Sequence, residues 1–174
     1  MRSNLLDSIH RLLDNMVINS DHQREIHAQF LSYLEEPYCY RNHTKPGHFT
    51  ASGFVRTADS AQICLIFHPR FQKWIQPGGH LEEGDMDILA AARREVAEET
   101  GLIDLSWDGT IRLDIHSVPE TTKQSAHLHF DIQLGFVAPF VPLSGDVRGS
   151  WVAYESFDKS KSDDSVNRFL ENWI

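Results

Sequence analysis

The sequence predicts an α+β fold, a mixed β-sheet sandwiched between helices, preceded by a helical extension at the N-terminus. Three observations carry that prediction. Apolar residues recur with a helical period before residue 37, the period changes to that of strands from Phe49, and one amphipathic run at 87–100 interrupts the strands. Strands, then a helix, then more strands indicate a sheet covered by helices, not an all-helical bundle.

The first helix rests on Leu5, Leu6, Ile9, Leu12, Leu13 and Met16, whose spacings of one, three and four draw a single apolar stripe. Ser20 and Gln23 have the spacing of a capping box, opening a second helix with Ile26, Phe30, Leu31 and Leu34 on one face. Pro37 is expected to end it. These two helices are expected either to cover a sheet face or to form a homodimer contact. Residues 1–45 are accordingly read as an extension packed on the domain formed by 46–174.

Strands are expected at 49–55, 61–67, 74–75, 110–117, 127–137 and 150–154, separated by turn residues such as Lys45-Pro46-Gly47 and Asp59-Ser60. Gly101 is placed to take the left-handed conformation that closes the 87–100 helix. A last helix is expected to carry Val166, Phe169, Leu170, Trp173 and Ile174 on one apolar face.

Composition limits the function. Sixteen basic against 25 acidic side chains give a net charge of −9, which argues against a partner such as long nucleic acid, whose backbone requires a basic face. A small polyanionic substrate is compatible with an acidic protein only if cations assist. Asp7, His10, Arg11 and Asp14 interrupt the N-terminal apolar stretches, and no run approaches a membrane span, so a cytoplasmic protein without membrane partners is expected. The two cysteines, Cys39 and Cys64, are too few for a disulfide framework and read as buried free thiols.

The chemistry lies in Pro77-Gly78-Gly79-His80-Leu81-Glu82-Glu83-Gly84-Asp85 and in Arg93-Arg94-Glu95-Val96-Ala97-Glu98-Glu99-Thr100-Gly101-Leu102. On a wheel with Glu95 at zero, Glu98 falls near roughly 300° and Glu99 near roughly 40°. Ile88, Leu89, Ala92 and Val96 lie at roughly 20° to 120°, so the glutamates border the buried stripe and Glu99 lies within it. Like charges so placed repel, and burying them adds a desolvation cost. Basic side chains or hard divalent cations would relieve both. Gly78-Gly79, read as a tight turn, would let a backbone carbonyl approach the carboxylates.

This segment resembles the signature of the Nudix hydrolases, G-x5-E-x7-R-E-U-x-E-E-x-G-U with U apolar. Gly79, Arg94, Glu95, Val96, Glu98, Glu99, Gly101 and Leu102 match it. The resemblance implies a Nudix-like domain that hydrolyses the phosphoanhydride bond of a nucleoside diphosphate derivative or a similar small organic diphosphate. It also implies Mg2+ or Mn2+ held by Glu95, Glu98, Glu99 and the carbonyl of Gly79, with Arg94 orienting a glutamate and Glu95 or Glu98 assisting catalysis. Asp85 stands where the pattern has glutamate, and eight residues instead of seven separate it from Arg94. The extra residue is expected in the loop before the helix, where insertions are tolerated.

Other candidates surround this centre. The strand at 127–134 alternates Leu128, Phe130, Ile132 and Leu134 with His127, His129, Asp131 and Gln133, a polar face that is either solvated or satisfied by hydrogen bonds, or lines a substrate cleft. Its His-x-His pattern suits a metal, yet no histidine follows His129 to complete a downstream ligand set. Glu120 could supply an additional carboxylate, and Trp74 or Phe71 could stack on a base if not buried in the core. Two rival functions remain: a non-catalytic, nucleotide-sensing binding module on the same fold, and isomerisation of an organic diphosphate, for which no suitably placed cysteine or second acid is evident.

Overall fold

The computed structural model describes residues 2–36, 39–40, 45–120, 122 and 125–174. Among the described residues four α-helices, α1 (Arg2–Asp14), α2 (Asp21–Leu34), α3 (Ile88–Thr100) and α4 (Asp164–Leu170), accompany seven strands. The strands are β1 (Gly47–Arg56), β2 (Gln62–His68), β3 (Lys73–Ile75), β4 (Gly78–His80), β5 (Ser106–Val118), β6 (His127–Val137) and β7 (Gly149–Ala153). They form one sheet in the order β3-β2-β1-β6-β5, with β4 paired to β1 and β7 to β2. The α+β class is as the sequence predicts. Among the described residues no helix is long and apolar enough to cross a membrane.

Two compact units are composed of interleaved segments. The first comprises Met1–Ala51, Gly79–Ala91 and Ile111–Gln133. Leu5, Ile9 and Leu13 of α1 and Ile26 and Phe30 of α2 are buried here, the stripes that the helical period draws. Phe30 and Tyr33 of α2 pack on Phe49 and Phe130, with the Tyr33 and Phe130 rings stacked at 4.0 Å. Ser20 caps α2 by accepting the Gln23 N–H at 3.1 Å. The return half of the capping box is absent. The Gln23 side chain instead donates to the Leu113 carbonyl at 3.0 Å and accepts the Leu113 N–H at 3.3 Å, reading a strand as another strand would. Gln23→Ala is therefore expected to cost about 1–2 kcal/mol, measured by urea unfolding, because it leaves two backbone groups of β5 without their partner. Pro37, the expected helix stop, lies outside the described residues.

The second unit comprises Ser52–Gly78, Ala92–Thr110 and Leu134–Ile174. Its core gathers Phe54, Ile63, Leu65, Val166, Phe169 and Leu170, with Phe54 and Phe169 stacked at 3.7 Å. β2 pairs antiparallel with β1, β3 and β7. Cys64 is buried and its thiol is pushed up to about 12 by desolvation, so it is an inert packing residue. The last helix is shorter than its apolar pattern suggests. It ends at Leu170, and Ile174 lies beyond it in an exposed position.

A second difference concerns the paired glycines. Gly78 and Gly79 do not form a tight turn; they are extended and belong to β4. The reason is tertiary, since β1 offers a hydrogen-bonding partner and captures the segment as a strand.

Candidate active site

Helix α3 begins at Ile88, one residue after the expected start, with the Asp87 carboxylate accepting the Ala90 N–H at 2.8 Å. The extra residue of the signature is expected in the loop from Gly84 to Ile88; residues 84–87 precede the helix and Ile88 is its first residue. Asp85 accepts the Glu82 N–H at 2.7 Å, which ties that loop to itself. Ile88, Ala91, Ala92 and Val96 are buried, whereas Arg93 is exposed with its guanidinium 5.8 Å from the Phe136 ring centroid.

Arg94 extends along the glutamate side. Its Nη1 donates to Glu95 Oε1 at 2.8 Å and to Glu98 Oε2 at 3.3 Å. The Glu95 side chain is 12% exposed and that of Glu98 is 53% exposed, so Arg94 holds one inner and one outer carboxylate. Glu99 accepts the backbone N–H of Gly78 at 2.9 Å. Gly79, next along β4, begins the other unit. The structure thus brings together Arg94, Glu95, Glu98, Glu99 and the β4 backbone at Gly78.

The C-terminal turn of α3 is capped from a distant loop. Gly101 adopts φ +79° and donates to the Ala97 carbonyl at 2.9 Å. Ser144 N–H donates to the Thr100 carbonyl at 3.0 Å, and Asp146 N–H to the Glu98 carbonyl at 2.8 Å. These bonds satisfy carbonyls that a helix end otherwise exposes, and they fix the turn that carries Glu98 and Glu99.

Electrostatics separate Glu99 from its neighbours. Burial raises its carboxyl from 4.5 to about 7; the Gly78 N–H opposes that rise, and the charges of Glu95 and Glu98 add to it. Since the folded state binds this proton more tightly, ionisation of Glu99 removes stability as pH rises from about 4.5 to about 7. In chelator, the wild type should lose melting temperature relative to Glu99→Gln across that window; parallel pH profiles would refute the assignment. The residues fit a hard divalent cation. Arg94 bonds two of the three carboxylates, Glu95 and Glu98, and the pKa of Glu99 is raised first by burial and then by those two neighbouring charges, a negative cluster that such an ion relieves.

Trp74 packs against Phe67 at 5.5 Å with the Arg148 guanidinium 5.6 Å from its ring centroid, and its carbonyl accepts Ser162 Oγ–H at 2.6 Å. Phe71 is exposed and stacks on His68 at 4.4 Å. Glu120 is exposed after β5. The polar face of β6 is not a solvated surface. His127 and Gln133 are buried and Asp131 is 1% exposed, accepting Thr50 Oγ1–H at 2.9 Å and Gln133 Nε2–H at 3.2 Å. His129 lies among His48, His80, His116 and His127, and burial first, then these imidazoles, lowers it to about 2. His48 and His80 escaped the sequence reading, although the alternation His48-Phe49-Thr50-Ala51-Ser52 marks a strand with one polar face.

A NUDIX domain family model matches residues 46–171. The chain belongs to the Nudix family. No curated protein matches it significantly. Among solved structures, this Nudix chain is similar to the Escherichia coli dihydroneopterin triphosphate pyrophosphohydrolase, at 14% identity and a TM-score of 0.51, covering 77% of this chain and 98% of that one. It is similar also to the NUDIX domain of Shewanella oneidensis NrtR complexed with ADP ribose, at 15% identity and a TM-score of 0.52, covering 83% and 94%. A NUDIX hydrolase from Nitrosomonas europaea shares 24% identity at a TM-score of 0.49, with 74% and 88% covered. These likenesses concern the fold.

Proposed function

We propose that this Nudix protein is a metal-dependent hydrolase that cleaves the phosphoanhydride bond of a nucleoside diphosphate derivative or a similar small organic diphosphate. The observation that carries the reading is the end of α3, where Arg94 bonds Glu95 and Glu98 while the adjacent Glu99 accepts the Gly78 N–H of β4. In this reading Glu95, Glu98, Glu99 and the carbonyl of Gly79 hold Mg2+ or Mn2+. Such an ion, when bound, neutralises phosphate charge and lowers the pKa of water.

The chain's own residues supply position and proton transfer. Arg94 orients the inner carboxylate of Glu95, its closer partner, and also reaches the outer carboxylate of Glu98. The Gly78 N–H anchors Glu99. Water oxygen forms a bond to phosphorus as the bridging P–O bond breaks, Glu95 accepts the water proton, and the leaving phosphate departs with the bond's electron pair.

The neighbour complexed with ADP ribose supports a nucleotide-derived ligand and keeps a binding module as the second reading. Phosphorus NMR on a panel of organic diphosphates in 18O-labelled water separates them. Hydrolysis that requires Mg2+ or Mn2+, with label in one phosphate product, is expected. Saturable binding without turnover would establish the module instead, and turnover insensitive to chelator would remove the metal from the reaction.

A further inference from the structure

His48, His80 and His129 are separated widely in sequence, yet each offers a ring nitrogen within 4.8 Å of the others'. Sheet order explains the meeting. His48 is in β1, His80 ends β4 and His129 is in β6, and both β4 and β6 neighbour β1. All three belong to the same compact unit. Their ring centroids lie 4.7 Å (His48–His80), 4.8 Å (His48–His129) and 5.5 Å (His80–His129) apart. We propose that His48, His80 and His129 form a three-histidine site for a borderline divalent transition-metal ion such as Zn2+, separate in its ligand chemistry from the glutamates of α3.

Ligand type decides the class of ion. Imidazole nitrogen suits Zn2+, Co2+ or Ni2+, whereas Mg2+ and Mn2+ favour the oxygen ligands that carboxylates provide. A tetrahedral site with Zn–N bonds of about 2.05 Å has ligand atoms roughly 3.4 Å apart. The ligand atoms therefore close by up to about 1.4 Å on binding. Modest rotations of His80 and His129, which are partly exposed, supply that movement, while His48 is fully buried and stays fixed. Three protein ligands leave a fourth position for water or another donor.

The surroundings prepare the ligands. His127 donates from Nδ1 to the Ser125 carbonyl at 2.8 Å, because a carbonyl only accepts. With the His127 proton on Nδ1, its Nε2 is the acceptor in the 3.3 Å contact with His129 Nε2–H, which leaves Nδ1 of His129 as that ring's acceptor atom. A metal-bound histidine is likewise oriented by a hydrogen bond from its other ring N–H.

Cobalt titration of the whole chain tests the site, since four-coordinate Co2+ with nitrogen ligands absorbs strongly in the visible and octahedral Co2+ on carboxylates only weakly. One Co2+ per chain should bind with the strong band, and Zn2+ should abolish it by displacement. His80→Asn and His129→Asn should each weaken binding by at least about a hundredfold, the upper end of what losing even an outer-shell partner costs. Glu98→Gln should keep the band unchanged. Absence of the strong band at saturating Co2+, or its loss in Glu98→Gln with retention in His80→Asn, would overturn the site. A variant-free measurement accompanies these: imidazole nitrogen resonances of three histidines should shift in wild-type protein on adding one equivalent of Zn2+. Unmoved resonances would equally refute it.

Discussion

Glu98→Gln should lower turnover by at least about tenfold, a barrier increase of roughly 1.4 kcal/mol, without lowering the melting temperature in chelator. The two effects have one cause. Glu98 adds negative charge to a helical turn where burial already raises Glu99 and where Glu95 adds its own repulsion. A neutral amide relieves like-charge repulsion of a few tenths of a kcal/mol per pair, more where the groups are partly buried. Against that, Glu98 loses its ionic contact with Arg94, a half-exposed pair worth little. The wild type gains RT ln(1 + [L]/Kd) from an ion that binds only the folded state, roughly 2.7 kcal/mol at a hundredfold excess over Kd. Glu98→Gln should gain less from Mg2+ or Mn2+. Melting curves with chelator and with metal, beside turnover on the best substrate, read all three effects. Full activity with an undiminished metal shift would show that the site is not on this helix.

Gly145→Ala should be the most destabilising single-methyl change in the loop that closes α3. A Cβ at Gly145 would lie 2.1 Å from the Glu99 carbonyl carbon and 2.2 Å from the Thr100 nitrogen. Both are backbone atoms, so no side-chain rotation can make room. Either the loop or the helix end must move, breaking the bonds that Ser144 and Asp146 donate to the Thr100 and Glu98 carbonyls. A loss of roughly 3 kcal/mol is expected, at the upper end of overpacking costs, lowering Tm by about 6–12 °C. Because the displaced turn carries Glu98 and Glu99, turnover per folded molecule should fall as well. Thermal melts with activity normalised to the folded fraction check both. Unchanged Tm would mean that the loop does not seat against the helix as described.

Legibility followed the range of the interaction. The helical stripes of α1 and α2 and the period-two pattern of β6 were readable because residues three, four or two apart share a face whatever else the chain does. The glutamate sector of α3 was readable for the same reason, and Arg94 meets Glu95 and Glu98 across one helical turn. Gln23 was read as half of a capping box, yet Leu113 outcompetes the local backbone for its amide. Gly78-Gly79 looked like a turn by composition until β1 supplied a strand to pair with.

By itself the sequence determined the α+β class, the stripes on α1 and α2, the left-handed closure at Gly101 and the carboxylate sector that marks the Nudix signature. Each depends on dihedral preferences and side-chain directions within a few residues, which the local chain specifies. Tertiary structure alone decided that Gly78 anchors Glu99, that the 144–146 loop caps α3, and that His48 and His80 join His129. Those meetings depend on which strands become neighbours and which loop reaches a helix end. Closure of long chain segments against the core sets them, and no short-range pattern records that choice.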